Sequence, residues 1–214
     1  MTAEIDPPFH ADVRDAVVSL RGEDFGVEFR RLDDRWSDAI LGPGTVAGMV
    51  RSQVGLPGGE DPARVAHPVY QEVQLHGPAS GSSLCLLLTG LSFSHHFSAA
   101  VTLSRDLGCP GCVLLDFDVA DRCRTPVESL AATYLVGLGS GSIEAADPDR
   151  IAWSPGPTAP GRLELLAGPG AALALAEAGR AAMRVQIVAS IEPTTFTHRL
   201  RYGWRWTNAD GMTR

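Results

Sequence analysis

Glycine and hydroxyl residues crowd one short stretch, Leu75 to Ser83 (LHGPASGSS), where residue types and spacing suit phosphate chemistry. A strand, a glycine loop and a Ser or Thr heading a helix place successive backbone N–H groups around a phosphate. In the working pattern G-x-x-x-x-G-K-[ST], Gly77 and Gly81 take the glycine positions and Ser83 the magnesium-binding hydroxyl. Ser80 and Ser82 supply further amides and hydroxyls between them. Two departures weaken the loop. Three residues separate Gly77 from Gly81 instead of four, and Ser82 stands where lysine belongs. The chain contains no lysine at all, its 18 basic residues all being arginine. A serine hydroxyl does not neutralise phosphate charge, and losing one charge-assisted contact costs on the order of 1.5–3 kcal/mol.

Other constellations carry less. Asp116 and Asp118 follow an apolar run in VLLDFDVAD, the D-x-D spacing of haloacid-dehalogenase-type phosphatases, but no lysine exists for their third motif. Cys109-Pro110-Gly111-Cys112 has the spacing of a metal knuckle or redox pair, with Cys123, Cys85, His95 and His96 as the nearest further ligands. Cys112 also reads as a small apolar residue opening a buried strand. His95-His96 is expected on a helix surface. LLLTGLSFSHH has the T-G turn of dinucleotide-binding dehydrogenases without their later glycines. No G-x-S-x-G elbow occurs, so an α/β-hydrolase has no nucleophile here.

Composition bounds the classes. The chain has 214 residues, 44% of them hydrophobic and 20% charged, as expected of one soluble globular domain with a lead-in. The net charge of −7 argues against a general nucleic-acid surface. The uncharged run Gly77 to Ser104 carries two histidines and many serines, which favours a buried core over a bilayer span. With no basic-then-apolar leader at the start, four cysteines are expected as reduced thiols in the cytoplasm.

Periodicity supplies the elements that would position these residues. Asp12 to Leu20 shows helical spacing, and Phe25 to Leu41, with apolar residues near four-residue steps, reads as one amphipathic helix or a pair broken at Asp33-Asp34. Thr45 caps a further helix through Val54, and Gly55 to Pro68 reads as a linker. Val69 to Leu75 reads as a strand. Leu84 to Thr89 is either a strand followed by a helix over Ser94 to Leu107, or part of a helix starting at Ser83. Cys112 to Val119 is the strongest strand. Thr125 to Glu128 is a capping box opening a helix through Leu135. A short strand over Arg162 to Leu166, a helix over Ala171 to Met183 and a strand over Arg184 to Ile191 follow, and Thr195 to Thr207 reads either as a final strand or as aromatics covering an exposed sheet edge. Strands alternating with helices imply a three-layer α/β fold with a mostly parallel sheet. The division expected is a helical lead-in and linker over 1–66, the α/β domain over 67–200 and a tail over 201–214.

Four stretches carry a family resemblance. Phe29 to Val50, the loop Leu75 to Ser83, Val113 to Leu135 and Arg184 to Pro193 resemble, in that order, segments of the NACHT (STAND-type) P-loop NTPase module of fungal signalling proteins. The resemblance implies a P-loop NTPase-like sheet with flanking helices, with nucleotide-binding residues Gly77, Ser80, Gly81, Ser82 and Ser83. It implies ATP or GTP with magnesium as the ligand, held weakly. It also implies departures: Ser82 in place of the phosphate-gripping lysine, no acidic pair closing a later strand, and Ile191 where the family has arginine. Hydrolysis is therefore not expected. The function implied is a non-catalytic protein-interaction module on a degenerate nucleotide-binding fold. A weak nucleotide switch, or a phosphatase-like enzyme of another class, stands behind it. Partners expected are other proteins or further copies of the chain, with neither nucleic acid nor membrane.

Overall fold

A computed structural model describes residues 8–43, 50–53, 65–109, 111–137, 140–157, 159–177, 182–192 and 194–208. Their secondary structure is eighteen β-strands, numbered below in chain order, and no helix. The first sheet runs β16 (Ala171–Glu177), β17 (Ala182–Ala189), β12 (Ser129–Gly137), β5 (Val50–Ser52), β4 (Arg35–Leu41), β3 (Gly26–Leu32), β2 (Val17–Arg21), β1 (Phe9–Arg14) and β8 (Ser80–Gly81), with β6 (Val65–Ala66) pairing β12. The second runs β13 (Ser142–Ala146), β14 (Arg150–Ser154), β15 (Gly161–Ala167), β18 (Thr197–Asn208), β11 (Cys112–Arg122), β10 (His95–Arg105), β9 (Ser83–Ser92) and β7 (Glu72–His76). Every pairing is antiparallel except β6 with β12.

The two sheets enclose one apolar core. On β10, His95, Phe97, Ala99, Val101 and Leu103 face inward, and on β11 Leu115, Phe117, Val119 and Asp121 do. From β18 come His198, Leu200, Tyr202, Trp204 and Trp206. Facing them, β2 to β4 contribute Val18, Leu20, Val27, Phe29, Trp36 and Ile40, and β12 contributes Leu130, Tyr134 and Val136. An antiparallel sandwich buries one face of each sheet and so reads as alternation along each strand.

This architecture overturns the α/β expectation. A parallel P-loop sheet with flanking helices is not formed, and the resemblance to a NACHT NTPase module does not hold. The interaction module, the nucleotide switch and the phosphatase-like reading lose the scaffold on which each was built. The strands expected near Val69–Leu75, Cys112–Val119, Arg162–Leu166, Arg184–Ile191 and Thr195–Thr207 are strands, but they run antiparallel to their neighbours. Arg184 to Ile191 pairs in the other sheet from Cys112 to Val119.

The expected helices fail for a definable reason. A period of two contains every fourth residue, so Phe25/Phe29 and Phe97/Val101/Arg105 satisfy both templates. The residues midway between, Val27 and Ala99, are also buried, which only a strand allows. Hairpin turns confirm the pattern: Leu32 pairs Arg35 across Asp33-Asp34, with Asp33 at φ 56°, a left-handed turn residue that aspartate tolerates. The capping box at Thr125 leads into β12, whose partners β17 and β5 are distant in sequence. Alanine-rich Ala171–Glu177 pairs β17 along its whole length despite its helical propensity. Strands β1 to β5 share their sheet with β12, β16 and β17, and β18 continues to Asn208. The helix from Thr45, most of the Gly55–Pro68 linker and the end of the tail lie outside the described residues.

Candidate functional site

Inward positions of β4 read Trp36, Asp38, Ile40, so its alternation delivers a carboxylate into an apolar core. A buried charge needs partners or shifts its pKa. Register aligns Asp38 with residues able to address it. Ala39 pairs Arg51 and Ile40 pairs Val50, which carries Ser52 alongside Asp38; Ser52 in turn pairs Tyr134 of β12. The Asp38 backbone N–H donates to Ser52 Oγ at 2.9 Å, and that hydroxyl stands 3.1 Å from the Asp38 carbonyl oxygen.

The facing sheet closes the site with Tyr202. Its hydroxyl lies 2.8 Å from that of Tyr134, both rings being buried. Tyr202 stacks on Phe117 at 4.8 Å, and Tyr134 meets Trp204 edge-on at 5.3 Å. Tyr70 arrives from the segment ahead of β7. It bridges Trp36, whose N–H donates to the Tyr70 carbonyl at 2.8 Å, while the Trp36 indole donates to the Gln71 carbonyl at 3.2 Å. Gln71 is tied to β9 through its side-chain amide, which accepts from the Leu91 N–H at 2.7 Å and donates to its carbonyl at 3.0 Å. Gly90 permits this approach, since a Cβ there would sit 1.9 Å from the Val69 carbonyl oxygen.

Together these elements line a cavity of ≈40 Å³ bounded by Trp36, Asp38, Ser52, His67, Tyr70, Thr133, Tyr134 and Tyr202. Burial pushes the Asp38 carboxyl up to about 6, with the nearby Ser52 and Tyr134 hydroxyls acting in the opposite direction. Burial, reinforced by the negative charge of Asp38, pushes Tyr70, Tyr134 and Tyr202 upward, so all three remain neutral donors at physiological pH. Asp38 Oδ2 and Thr133 Oγ1 are buried without a hydrogen-bond partner among the described residues. Clustered titratable groups with shifted pKa values in one cavity make this the candidate functional site. This one offers a carboxylate acceptor within aromatic walls.

A second polar group occupies one end of the same core. His95 Nδ1 lies 2.8 Å from Asp121 Oδ2, both side chains being buried, and His198 pairs Asp121 from β18. Burial raises the Asp121 carboxyl, and its hydrogen bond to His95 works in the opposite direction. Cys123 Sγ, Ser94 Oγ and Thr125 Oγ1 form a triangle of contacts at 3.0, 3.2 and 3.3 Å nearby.

The residues singled out by sequence are scattered. Gly77 turns the chain after β7 at φ 92°, Ser80 and Gly81 pair with β1, Ser82 lies in a bend, and Ser83 opens β9. A strand follows the loop, so the helix end that would favour phosphate there is absent. Asp118 lies on the outward face of β11, paired with Arg199 at 2.7 Å and Arg201 at 3.2 Å. Cys109 and Cys112 form a disulfide, in place of the reduced thiols expected, while Cys85 and Cys123 are free. His95 points inward and His96 outward, as consecutive strand residues must. Among the described residues no group of three or more His, Cys, Asp or Glu is arranged to hold a metal ion, and no helix is long and apolar enough to cross a membrane. Sequence reasoning missed Asp38, Ser52, Tyr70, Tyr134 and Tyr202. The available signal was an aspartate at an apolar-phase position of the alternating run RWSDAIL.

The fold and cavity define an antiparallel β-sandwich with a polar, aromatic-walled interior site. Compared with known protein families and with curated proteins, the chain matches none.

Proposed function

We propose that this protein is a binding protein for a small cation, with a compact protonated amine as the ligand class and Asp38 as its counter-ion. The observation that carries this reading is the buried Asp38 Oδ2, which lines the cavity and accepts no hydrogen bond among the described residues. Above about pH 6 this carboxylate is ionised, and an ammonium group within the cavity offsets the cost of its burial. The faces of Trp36 and the tyrosines supply the cation–π component that aromatic walls give a desolvated cation. A volume of ≈40 Å³ accommodates roughly three water-sized centres, which selects methylammonium-sized groups over larger ones. Ser52 is engaged with the Asp38 backbone, so the site binds without offering a free nucleophile.

Titration of the ¹⁵N-labelled protein with methylammonium chloride at pH 7.5 tests this. The indole N–H resonance of Trp36 is expected to shift saturably, with a Kd near the millimolar range, about −4 kcal/mol. Equal sodium chloride is expected to leave it unmoved, and Asp38→Asn to abolish the response. An identical shift with sodium chloride, or an unchanged Kd in the Asp38→Asn protein, would overturn the reading.

A further inference from the structure

We propose a second site, for a phosphate-type oxyanion, in a pocket at the end of the eight-stranded sheet. The pocket measures ≈490 Å³, and its described lining is Ser94, His96, Arg122 and Arg124. Strand register explains the convergence. His96 pairs Arg122 across β10 and β11, both facing outward. Arg124 comes two residues after Arg122, and Ser94 sits in the two-residue turn between β9 and β10, where Ser92 pairs His95. Contacts with Cys123 and Thr125 fix the Ser94 hydroxyl beside the start of the segment that follows β11.

Two unpaired arginines meet in this pocket, whereas Arg105, which also lacks an ion pair among the described residues of this sheet, lies at the far end of β10. On the same sheet Arg199 and Arg201 share Asp118, and Arg205 pairs Glu164 and Asp106. Neither Arg122 nor Arg124 has an ion-pair partner among the described residues. The nearest carboxylate in the strand, Asp121, is turned inward onto His95. Two guanidiniums thus stay unneutralised in a protein of net charge −7. Their planar forks match the oxygens of a tetrahedral oxyanion, and the Ser94 hydroxyl adds a neutral donor.

The surroundings extend the ligand beyond the anion. Phe93 precedes Ser94 with φ 54° and is 68% exposed, and Phe196, whose carbonyl accepts the Cys123 N–H at 3.0 Å, is 65% exposed. A phenylalanine held left-handed in a turn, with its ring in solvent, is a backbone outlier of the kind concentrated at functional sites. The chemistry is that of a phosphate ester with an apolar portion. Two sources share it, a soluble ester and the headgroup of an anionic lipid.

The experiment uses phenyl phosphate as the soluble probe, followed by calorimetry in low salt, and phosphatidylcholine vesicles with or without phosphatidylserine for co-sedimentation. Both arginines are exposed, so R122Q/R124Q is expected to fold with an unchanged thermal midpoint. Saturable phenyl phosphate binding, weakened at least tenfold in R122Q/R124Q and absent with phenol, supports the site and a soluble ester. Sedimentation with phosphatidylserine vesicles alone, lost in R122Q/R124Q and in F93S/F196S, supports the site and assigns a lipid headgroup. Neither probe binding, or either binding equally to R122Q/R124Q, overturns the proposal.

Discussion

Replacing Asp38 with asparagine removes a charge from the core and leaves its shape. The folded carboxyl titrates at about 6 and an unburied aspartate at 3.8, with burial as the first cause of the difference. At about 1.36 kcal/mol per pH unit, that separation corresponds to about 3 kcal/mol. The sign follows from proton uptake. Between 3.8 and about 6 the folded chain holds a proton on Asp38 that the unfolded chain has released, so stability falls as pH rises. The contribution is complete below the unfolded value and is lost as pH passes through about 6. The asparagine variant lacks this component, while every other titrating group is common to both proteins. Urea unfolding of the pair at pH 4.0 and 7.5, the lower value lying just above the unfolded pKa, is therefore expected to show their difference moving by about 2.4 kcal/mol in favour of the variant at the higher pH. Methylammonium at pH 7.5 is expected to stabilise the parent protein alone. Equal pH dependence in the two proteins would refute the assignment of a buried, destabilised carboxylate.

Three further perturbations test the frame around it. Tyr134→Phe removes the 2.8 Å contact with Tyr202 and leaves a buried hydroxyl short of a partner, a loss of about 1–3 kcal/mol by denaturant melts; no loss would mean that water replaces it freely. Gly90→Ala forces a Cβ against the Val69 carbonyl oxygen, with about 2 kcal/mol or more of destabilisation expected. It should also displace Tyr70, read as a shifted Trp36 indole resonance, and a neutral outcome would place the segment elsewhere. Leu115 is fully buried in a central strand, so Leu115→Ala should cost about 2–5 kcal/mol. A cost below 1 kcal/mol would show that β11 is not central.

What the sequence by itself determined was where apolar side chains recur and where some strands lie. The run CVLLDFDV is a strand on local pattern alone, because a short buried apolar run bounded by turn residues has few other ways to be buried, and Leu200, Tyr202, Trp204 and Trp206 alternate with the same period of two. The Asp33-Asp34 break and the absence of lysine were equally legible. The choice between strand and helix at Phe25–Leu41, His95–Arg105 and Ala171–Glu177 was not, since four-residue spacing belongs to both periods and propensity favoured the wrong one. Tertiary pairing decided it: β12 finds β5 and β17, and β16 finds β17, contacts that no local window contains. The site was decided at the same level. Asp38 and Ser52 lie within one sequence neighbourhood, but Tyr134 and Tyr202 stand about one and one and a half hundred residues further on. Only sheet register places Ser52 against Tyr134, and only the facing of two sheets brings Tyr202 to its hydroxyl. The glycine loop that looked most like chemistry became a hairpin edge, because the run after Ser83 pairs as a strand with β7 and β10 instead of coiling behind the loop as a helix.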